Sequence, residues 1–184
     1  MKKILVIVVI VILIIFGIGL YVKSHDNSVL GYLTSASKDI DNGNYDQATT
    51  ALKAAQANEK DAKYDSTIYS MFAQIDIKQG NLQNALVDGT KAIDAAEKIS
   101  DTNSNIAKLY YARAIVNYNL KNTSDALADL NKAISLDTAT PAYYVKRGVL
   151  KFELNKIPDG CNDIRPYLSQ VDSSVTSQYQ ANCK

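Results

Sequence analysis

Few side chains in this 184-residue sequence could perform acid–base or metal chemistry. His25 is the single histidine, and no histidine, cysteine and carboxylate spacing typical of a zinc site is present. The sequence also contains no glycine-rich phosphate loop. Two close carboxylate pairs, Asp39 with Asp41 and Asp125 with Asp129, are predicted to be solvated on exposed helix faces. We therefore predict no catalytic residue, no metal site, no cofactor and no enzymatic activity, because a catalytic site needs several groups assembled together.

The two cysteines, Cys161 and Cys183, lie in the C-terminal quarter of the chain. If the chain turns at 171–173 and returns as a short helix, an antiparallel hairpin places the two cysteines side by side. A disulfide between them would close a loop of about 22 residues and contribute on the order of 3 kcal/mol in the chain-entropy model. This prediction requires an oxidising environment, and the alternative is a pair of thiols.

The elements that position these residues begin with an apolar run at 4–22. These nineteen residues carry no charged side chain and would span roughly 28 Å as a helix, which matches a bilayer core. We predict a transmembrane anchor at 4–22 between a cytoplasmic leader at 1–3 and a tether at 23–28. A cleaved signal peptide is the alternative, but the run is long for one and no small-x-small cleavage site follows it.

The distribution of charged residues predicts the orientation of the chain in the membrane and argues against a nucleic-acid partner. Lys2 and Lys3 precede the apolar run, so the positive-inside rule predicts a cytoplasmic N-terminus and an extracytoplasmic domain. The chain has 20 basic and 19 acidic residues, and no cluster of Lys and Arg. Such a balanced surface argues against a nucleic-acid partner, which requires a basic patch.

The remainder of the sequence shows a helical repeat. Four stretches align, at 43–55, 80–92, 121–133 and 155–167, each with a turn pair followed by a small residue that opens a second helix. Counting back from each of these small residues, a tyrosine lies sixteen positions earlier and a second small residue lies twelve positions earlier. Small side chains let antiparallel helices approach closely, while an aromatic ring one turn away fills the gap. The predicted repeat-packing residues are Tyr32, Ala36, Ala48, Tyr69, Ala73, Ala85, Tyr110, Ala114, Ala126, Tyr144, Gly148 and Gly160.

These recurring tyrosines and small residues resemble the pattern of the tetratricopeptide repeat (TPR) family, most clearly in the repeat at 110–137. Together with the anchor predicted at 4–22, the resemblance implies an all-α fold in which the N-terminal transmembrane helix is followed by an α-solenoid of about four TPR helix-turn-helix repeats. The repeats are expected at about 29–62, 66–99, 107–140 and 141–170, within a solenoid at 29–170 that ends in a capping segment at 171–184. We predict helices at about 27–42, 45–57, 63–79, 82–98, 104–120, 123–137, 141–154 and 157–170.

In this family the first helix of each repeat lines a groove that binds proteins. The matching groove residues here include Leu33, Ser37, Ser70, Gln74, Lys78, Lys108, Tyr111, Ile115, Tyr118, Val145 and Phe152. The alternative for an apolar member such as Ile115 is packing between neighbouring helices. Apolar and aromatic surface with a few donors suits a peptide segment or a partner helix, and no small-molecule substrate is expected.

The resemblance implies a non-enzymatic, membrane-anchored scaffold of bacterial type, located in the inner membrane with its domain in the periplasm. Its expected role is envelope protein assembly, folding or transport. Three alternatives remain: a cytosol-facing receptor on an organelle or inner membrane, a self-associating repeat module, and an enzyme with an unrecognised site. The last would require an activity that is abolished by changing a polar groove residue such as Lys78 or Lys108.

Overall fold

The structure, a computed structural model, describes residues 28–60 and 62–183. These residues fall into two compact units, one that ends at Asn58 and one that begins at Glu59. The described residues form nine α-helices and one 3-10 helix, and none of them lies in a β-strand. The all-α prediction is therefore confirmed for this part of the chain.

The first unit is a single helix pair. Helix α1 is Val29–Asp41 and helix α2 is Tyr45–Asn58. Ser28 caps α1 by accepting a hydrogen bond from the Gly31 backbone N–H. The buried side chains recur at three- and four-residue spacing on both helices, as expected of two amphipathic helices that pack on each other: Leu33, Ala36, Ile40, Ala48, Leu52 and Ala55.

The second unit contains three further helix pairs and a C-terminal segment. The pairs are α3 (Asp65–Gln79) with α4 (Leu82–Lys98), α5 (Asn103–Asn119) with α6 (Thr123–Leu136), and α7 (Pro141–Glu153) with α8 (Ile157–Ile164). Successive pairs touch through α4 against α5 and α6 against α7. A 3-10 helix, Arg165–Gln170, leads to α9 (Ser173–Asn182), which packs on α7 and α8.

The turn inside each pair uses one left-handed residue. Gly43, Gly80, Lys121 and Asn155 have φ angles of 76°, 80°, 65° and 57°. In each turn the next residue donates its N–H to a carbonyl five positions earlier, for example Asn122 to Asn117 at 2.9 Å. This hydrogen bond satisfies a carbonyl at the helix end, which is why a turn pair recurs at the same place in every aligned stretch.

The small residues of the repeat lie where the paired helices meet. Ala36, Ala48, Ala85, Ala114 and Ala126 are at most 1% exposed. Ala73 is 8% exposed and is also buried. The four tyrosines of the repeat, Tyr32, Tyr69, Tyr110 and Tyr144, are only half-buried.

The α7–α8 pair has the closest packing that we describe. A Cβ added to Gly148 would lie 2.5 Å from Ile164 Cγ1 and 2.9 Å from the Gly160 carbonyl oxygen. A Cβ added to Gly160 would lie 2.6 Å from the Phe152 ring. Glycine at both positions is what lets these two backbones approach so closely.

Helix bounds agree with the predicted bounds to within two residues, except at the last predicted helix. That helix was expected over 157–170, but α8 ends at Ile164 and continues as the 3-10 helix. Pro166 explains the change, because its ring would clash with the carbonyl four residues earlier and it has no N–H to donate.

The predictions of a transmembrane helix and of a single-pass membrane location require correction. Across residues 28–60 and 62–183, no helix combines the length and the apolar composition needed to cross a bilayer. The longest of these helices have 17 residues and carry charged side chains. The segment at 4–22, for which the anchor was predicted, lies outside the described residues, as do the leader at 1–3 and His25.

Candidate functional site

A surface pocket of about 530 Å³ lies in the second unit between α5, α7 and the segment at 170–178. Its apolar lining comes from Tyr111, Pro141, Val145, Val149, Val171 and Val175. Its polar lining comes from Thr140, Lys146, Gln170, Asp172 and Gln178. A mostly apolar hollow with a few polar groups is typical of a binding site.

Tyr111 forms the α5 side of this pocket. Its ring packs against the ring of Tyr143, with centroids 5.0 Å apart and the planes tilted by 42°. Tyr143 is only 2% exposed, so its buried ring gives the Tyr111 ring a fixed packing partner. Burial raises the pKa of the Tyr111 hydroxyl and so further favours its protonated form, which can donate a hydrogen bond.

Lys146 places a positive charge at the edge of the pocket. Its Nζ lies 3.8 Å from the centroid of the Tyr118 ring, and the Tyr118 hydroxyl donates a hydrogen bond to Glu153. Among the described residues Lys146 forms no salt bridge. Burial lowers the pKa of Lys146, and the charge of Glu153 opposes this shift. The ammonium group is thus partly desolvated and contacts no carboxylate within the described part of the chain, so an acidic ligand group would complement it.

The predicted groove residues divide between this pocket and its surroundings. Tyr111 and Val145 line the pocket, and Tyr118 contacts Lys146 at the edge. The other predicted groove residues of the second unit lie outside its lining: Ser70, Gln74, Lys78, Lys108, Ile115 and Phe152. Ser70, Gln74 and Lys78 share one face of α3, because they are spaced four residues apart.

Sequence reasoning missed the wall at 170–178, as well as Lys146. The segment was expected to cap the repeats, and nothing in its composition indicates that it contributes to a pocket. The α7 wall was predicted in part, through Val145, and the equivalence of Val149 with Ile115, 34 residues earlier, was a further signal for it.

A buried ion pair joins α5 to α6 and corrects one sequence prediction. Asp129 is not on a solvated face as predicted; it is 5% exposed and accepts hydrogen bonds from Arg113 Nε at 3.0 Å and Nη2 at 2.7 Å. Asn117 donates to the same carboxylate at 3.1 Å, and Arg113 also donates to Thr90 Oγ1 of α4 at 3.1 Å. The hydrogen bond to Asp129 is the main reason that the pKa of Arg113 is raised.

The same arrangement recurs one repeat later. Arg147 donates to Asp163 through Nε at 2.8 Å and Nη2 at 2.6 Å, and to Asn131 Oδ1 at 2.8 Å. Lys151 adds a second ion pair to Asp163 at 2.8 Å. In both copies the arginine follows the repeat tyrosine by three positions and precedes the aspartate by sixteen. That shared spacing was the signal in the sequence that could have identified both networks.

The repeat tyrosines pack against cations as well as filling gaps. Lys91 lies over the ring of Tyr69 at 5.3 Å, Arg113 over Tyr110 at 5.3 Å, and Arg147 over Tyr144 at 5.5 Å. Cation–π attraction therefore accompanies the packing in these three repeats.

Cys161 and Cys183 are joined in a disulfide, with Cα atoms 5.7 Å apart. Cys161 belongs to α8 and is 6% exposed, and Cys183 directly follows α9. The bond therefore fixes the end of α9, the helix that contributes Val175 and Gln178 to the pocket, onto the last helix pair.

The helix pairs, their left-handed turns and their small-residue contacts define the chain as an α-helical repeat protein. No protein-family model and no curated protein sequence matches the chain. Solved structures do match it, and many of them are TPR proteins. The described chain thus has the TPR fold, which confirms the resemblance at the level of the fold.

Three of these structures indicate the extent of the likeness. The first is a crystal structure of the APC/C hetero-tetramer Cut9-Hcn1, with a TM-score of 0.73 and 14% identity over 86% of this chain and 30% of that one. The second is a tetratricopeptide repeat protein from Parabacteroides merdae, with a TM-score of 0.69 and 21% identity over 83% and 57%. The third is YrrB, described as a TPR protein with an unusual peptide-binding site, with a TM-score of 0.65 and 14% identity over 90% and 84%. The chain therefore spans less than two thirds of the first two.

Proposed function

We propose that this chain is a non-enzymatic interaction module that binds a segment of a partner protein in the pocket between α5, α7 and 170–178. The observation that carries the proposal is this open, mainly apolar pocket built on rigid helix pairs. Its volume falls within the range of known ligand sites and suits one or two aliphatic side chains with their backbone. YrrB, of similar fold, is described as having a peptide-binding site.

The pocket chemistry suggests what the segment contains. Val145, Val149 and Val175 offer an aliphatic surface, which favours an aliphatic ligand side chain. Lys146 has no carboxylate in contact among the described residues, so an acidic group beside that side chain would form a charge-assisted bond. The Asp172 carboxylate, which accepts a hydrogen bond from the Val175 N–H at the start of α9, forms no salt bridge with Lys146 among the described residues.

The other predicted groove residues would extend this surface. Lys108 precedes Tyr111 by one turn of α5, and Ser70, Gln74 and Lys78 offer polar contacts on α3. By presenting such a rigid surface, the chain would support the assembly, folding or transport of a protein partner.

Selection from a library of short peptides on the immobilised full chain tests the proposal. We expect enriched peptides to carry an aliphatic residue next to an acidic one. Val149→Arg should block the pocket, and Lys146→Gln should weaken binding by about tenfold, the effect of losing one charge-assisted hydrogen bond. Lys98→Gln, at an exposed position of α4, serves as the control and should leave the dissociation constant unchanged. If peptides bind equally well to the Val149→Arg variant, the pocket is not the site.

A further inference from the structure

Helix α9 forms one wall of the pocket but is weakly attached to the rest of the second unit. None of its residues is buried. Apart from its packing on α7 and α8, the side-chain hydrogen bond that joins it to another element among the described residues is a single exposed one, from Arg165 Nε to the Tyr179 hydroxyl at 3.2 Å. Within the described residues, the disulfide between Cys183 and Cys161 is the one covalent bond, apart from the backbone, that attaches the end of α9 to another helix.

The sequence of α9 does not favour a helix by itself. The ten residues are SSVTSQYQAN, which include three serines, a threonine, a valine and an asparagine, all weaker helix formers than alanine. Isolated helices of this length are marginal in water. The N-cap, in which Asp172 accepts from the Val175 N–H at 2.9 Å, stabilises only the first turn.

The last helix pair, in contrast, does not depend on the disulfide. Gly148 and Gly160 form its close contact, Ile164 is fully buried, and Arg147 pairs with Asp163 at 2.6 Å. Besides Cys161, α8 buries Gly160, Asp163 and Ile164, and none of these three takes part in the disulfide. Loss of the bond should therefore release α9 and leave α7 and α8 packed.

We propose that the Cys161–Cys183 disulfide acts as a redox switch that keeps the α9 wall of the binding pocket in place. A dithiol reductant would supply two electrons and two protons, yielding two cysteine thiols while the dithiol closes to its own disulfide. Helix α9 then unwinds and moves away, and Val175 and Gln178 leave the pocket. What remains is an open surface on α5 and α7. The release of α9 is independent of any ligand, and only its effect on binding rests on the proposed function.

A single tryptophan can report the release, because the full chain contains none. Val175→Trp places an indole towards the pocket, where the cavity of about 530 Å³ has room for it. Ser177→Trp places the same group on the exposed face of α9 and is the matched control. In the oxidised chain we expect bluer emission and several-fold weaker acrylamide quenching for Val175→Trp than for Ser177→Trp.

Addition of dithiothreitol should bring both readings of Val175→Trp to those of Ser177→Trp. The same result is expected without reductant when Cys161→Ala and Cys183→Ala are added. Circular dichroism should show the loss of about one short helix. The proposal fails if the emission of Val175→Trp does not change although mass spectrometry shows both thiols alkylated. It also fails if reduction unfolds the helix pairs.

A binding measurement separates this proposal from the proposed function. A peptide selected on the oxidised chain should bind the reduced chain at least tenfold more weakly. Equal binding in both states would overturn the switch and leave the pocket function intact. The absence of any peptide that binds the oxidised chain would instead count against the proposed function, while the tryptophan readings would still decide the release of α9.

Discussion

Two aspartates on α6 differ in burial, and the difference follows from the arginine that one of them pairs with. Asp129 is buried against Arg113, while Asp125, one turn earlier, is exposed. Asp129→Ala should lower the free energy of unfolding by about 2–3 kcal/mol, because it leaves a largely buried guanidinium without its counter-charge. Asp125→Ala should change it by less than about 0.5 kcal/mol. Urea denaturation of both variants checks this, and equal effects would contradict the role assigned to the pair.

Lys121 occupies a turn position that suits glycine. Its φ of 65° places a side chain in the left-handed region, which costs on the order of 1 kcal/mol in a residue with a Cβ. Lys121→Gly should therefore raise the free energy of unfolding by about 1 kcal/mol. Lys53→Gly, at an exposed position inside α2, should lower it by a similar amount. Thermal denaturation compares the two, and a destabilised Lys121→Gly variant would show that the turn is not strained.

At the scale of elements, two glycines inside helices should respond in opposite ways to alanine. Gly148→Ala drives a methyl group into Ile164 and the Gly160 carbonyl, which should cost about 1–3 kcal/mol and separate α7 from α8. Gly89→Ala meets only the Arg113 side chain, with Cγ at 3.9 Å and Cβ at 4.0 Å, which are ordinary contacts. Its better helix propensity should stabilise the chain by up to about 1 kcal/mol. Chemical denaturation distinguishes them, and similar effects would argue against a tight crossing.

The helices could be predicted because their signals are local. Apolar spacing, turn pairs and the recurrence of small residues specify α1 to α8, except for the end of α8, where the signal from Pro166 was overlooked. The buried position of Asp129 was missed because its partner, Arg113, lies on another helix and a single helix face gives no sign of it. Tyr111 was identified from the repeat. The opposite pocket wall was not, because its place depends on how α9 folds back.

At the scale of the whole molecule, tyrosine ionisation should limit stability at high pH. The pKa values of Tyr110, Tyr111 and Tyr143 are raised mainly by burial, and that of Tyr118 mainly by its hydrogen bond to Glu153. A pKa raised in the folded state means that the unfolded chain loses these protons first. Stability from these groups is therefore complete below the unfolded pKa of about 10 and falls as the pH rises above it.

Two measurements check this expectation. Ultraviolet titration should show a group of tyrosines in the native chain that ionises at higher pH than in the urea-unfolded chain. Urea midpoints should decrease between about pH 9.5 and 11. Superimposable titration curves for the two states would contradict the assigned environments of these four tyrosines.

The two arginines that reach backward along the repeat have a consequence for cooperativity. Arg113 donates hydrogen bonds to Asp129 in its own helix pair and to Thr90 in the preceding pair. Arg147 likewise donates to Asp163 in its own pair and to Asn131 in the preceding pair. If either helix pair separates from the preceding pair, the hydrogen bond from its arginine to that pair must break. The helices from α4 to α8 should therefore exchange their slowest amide protons at a common rate, as a single opening event, and not as a series of pairs that fray independently.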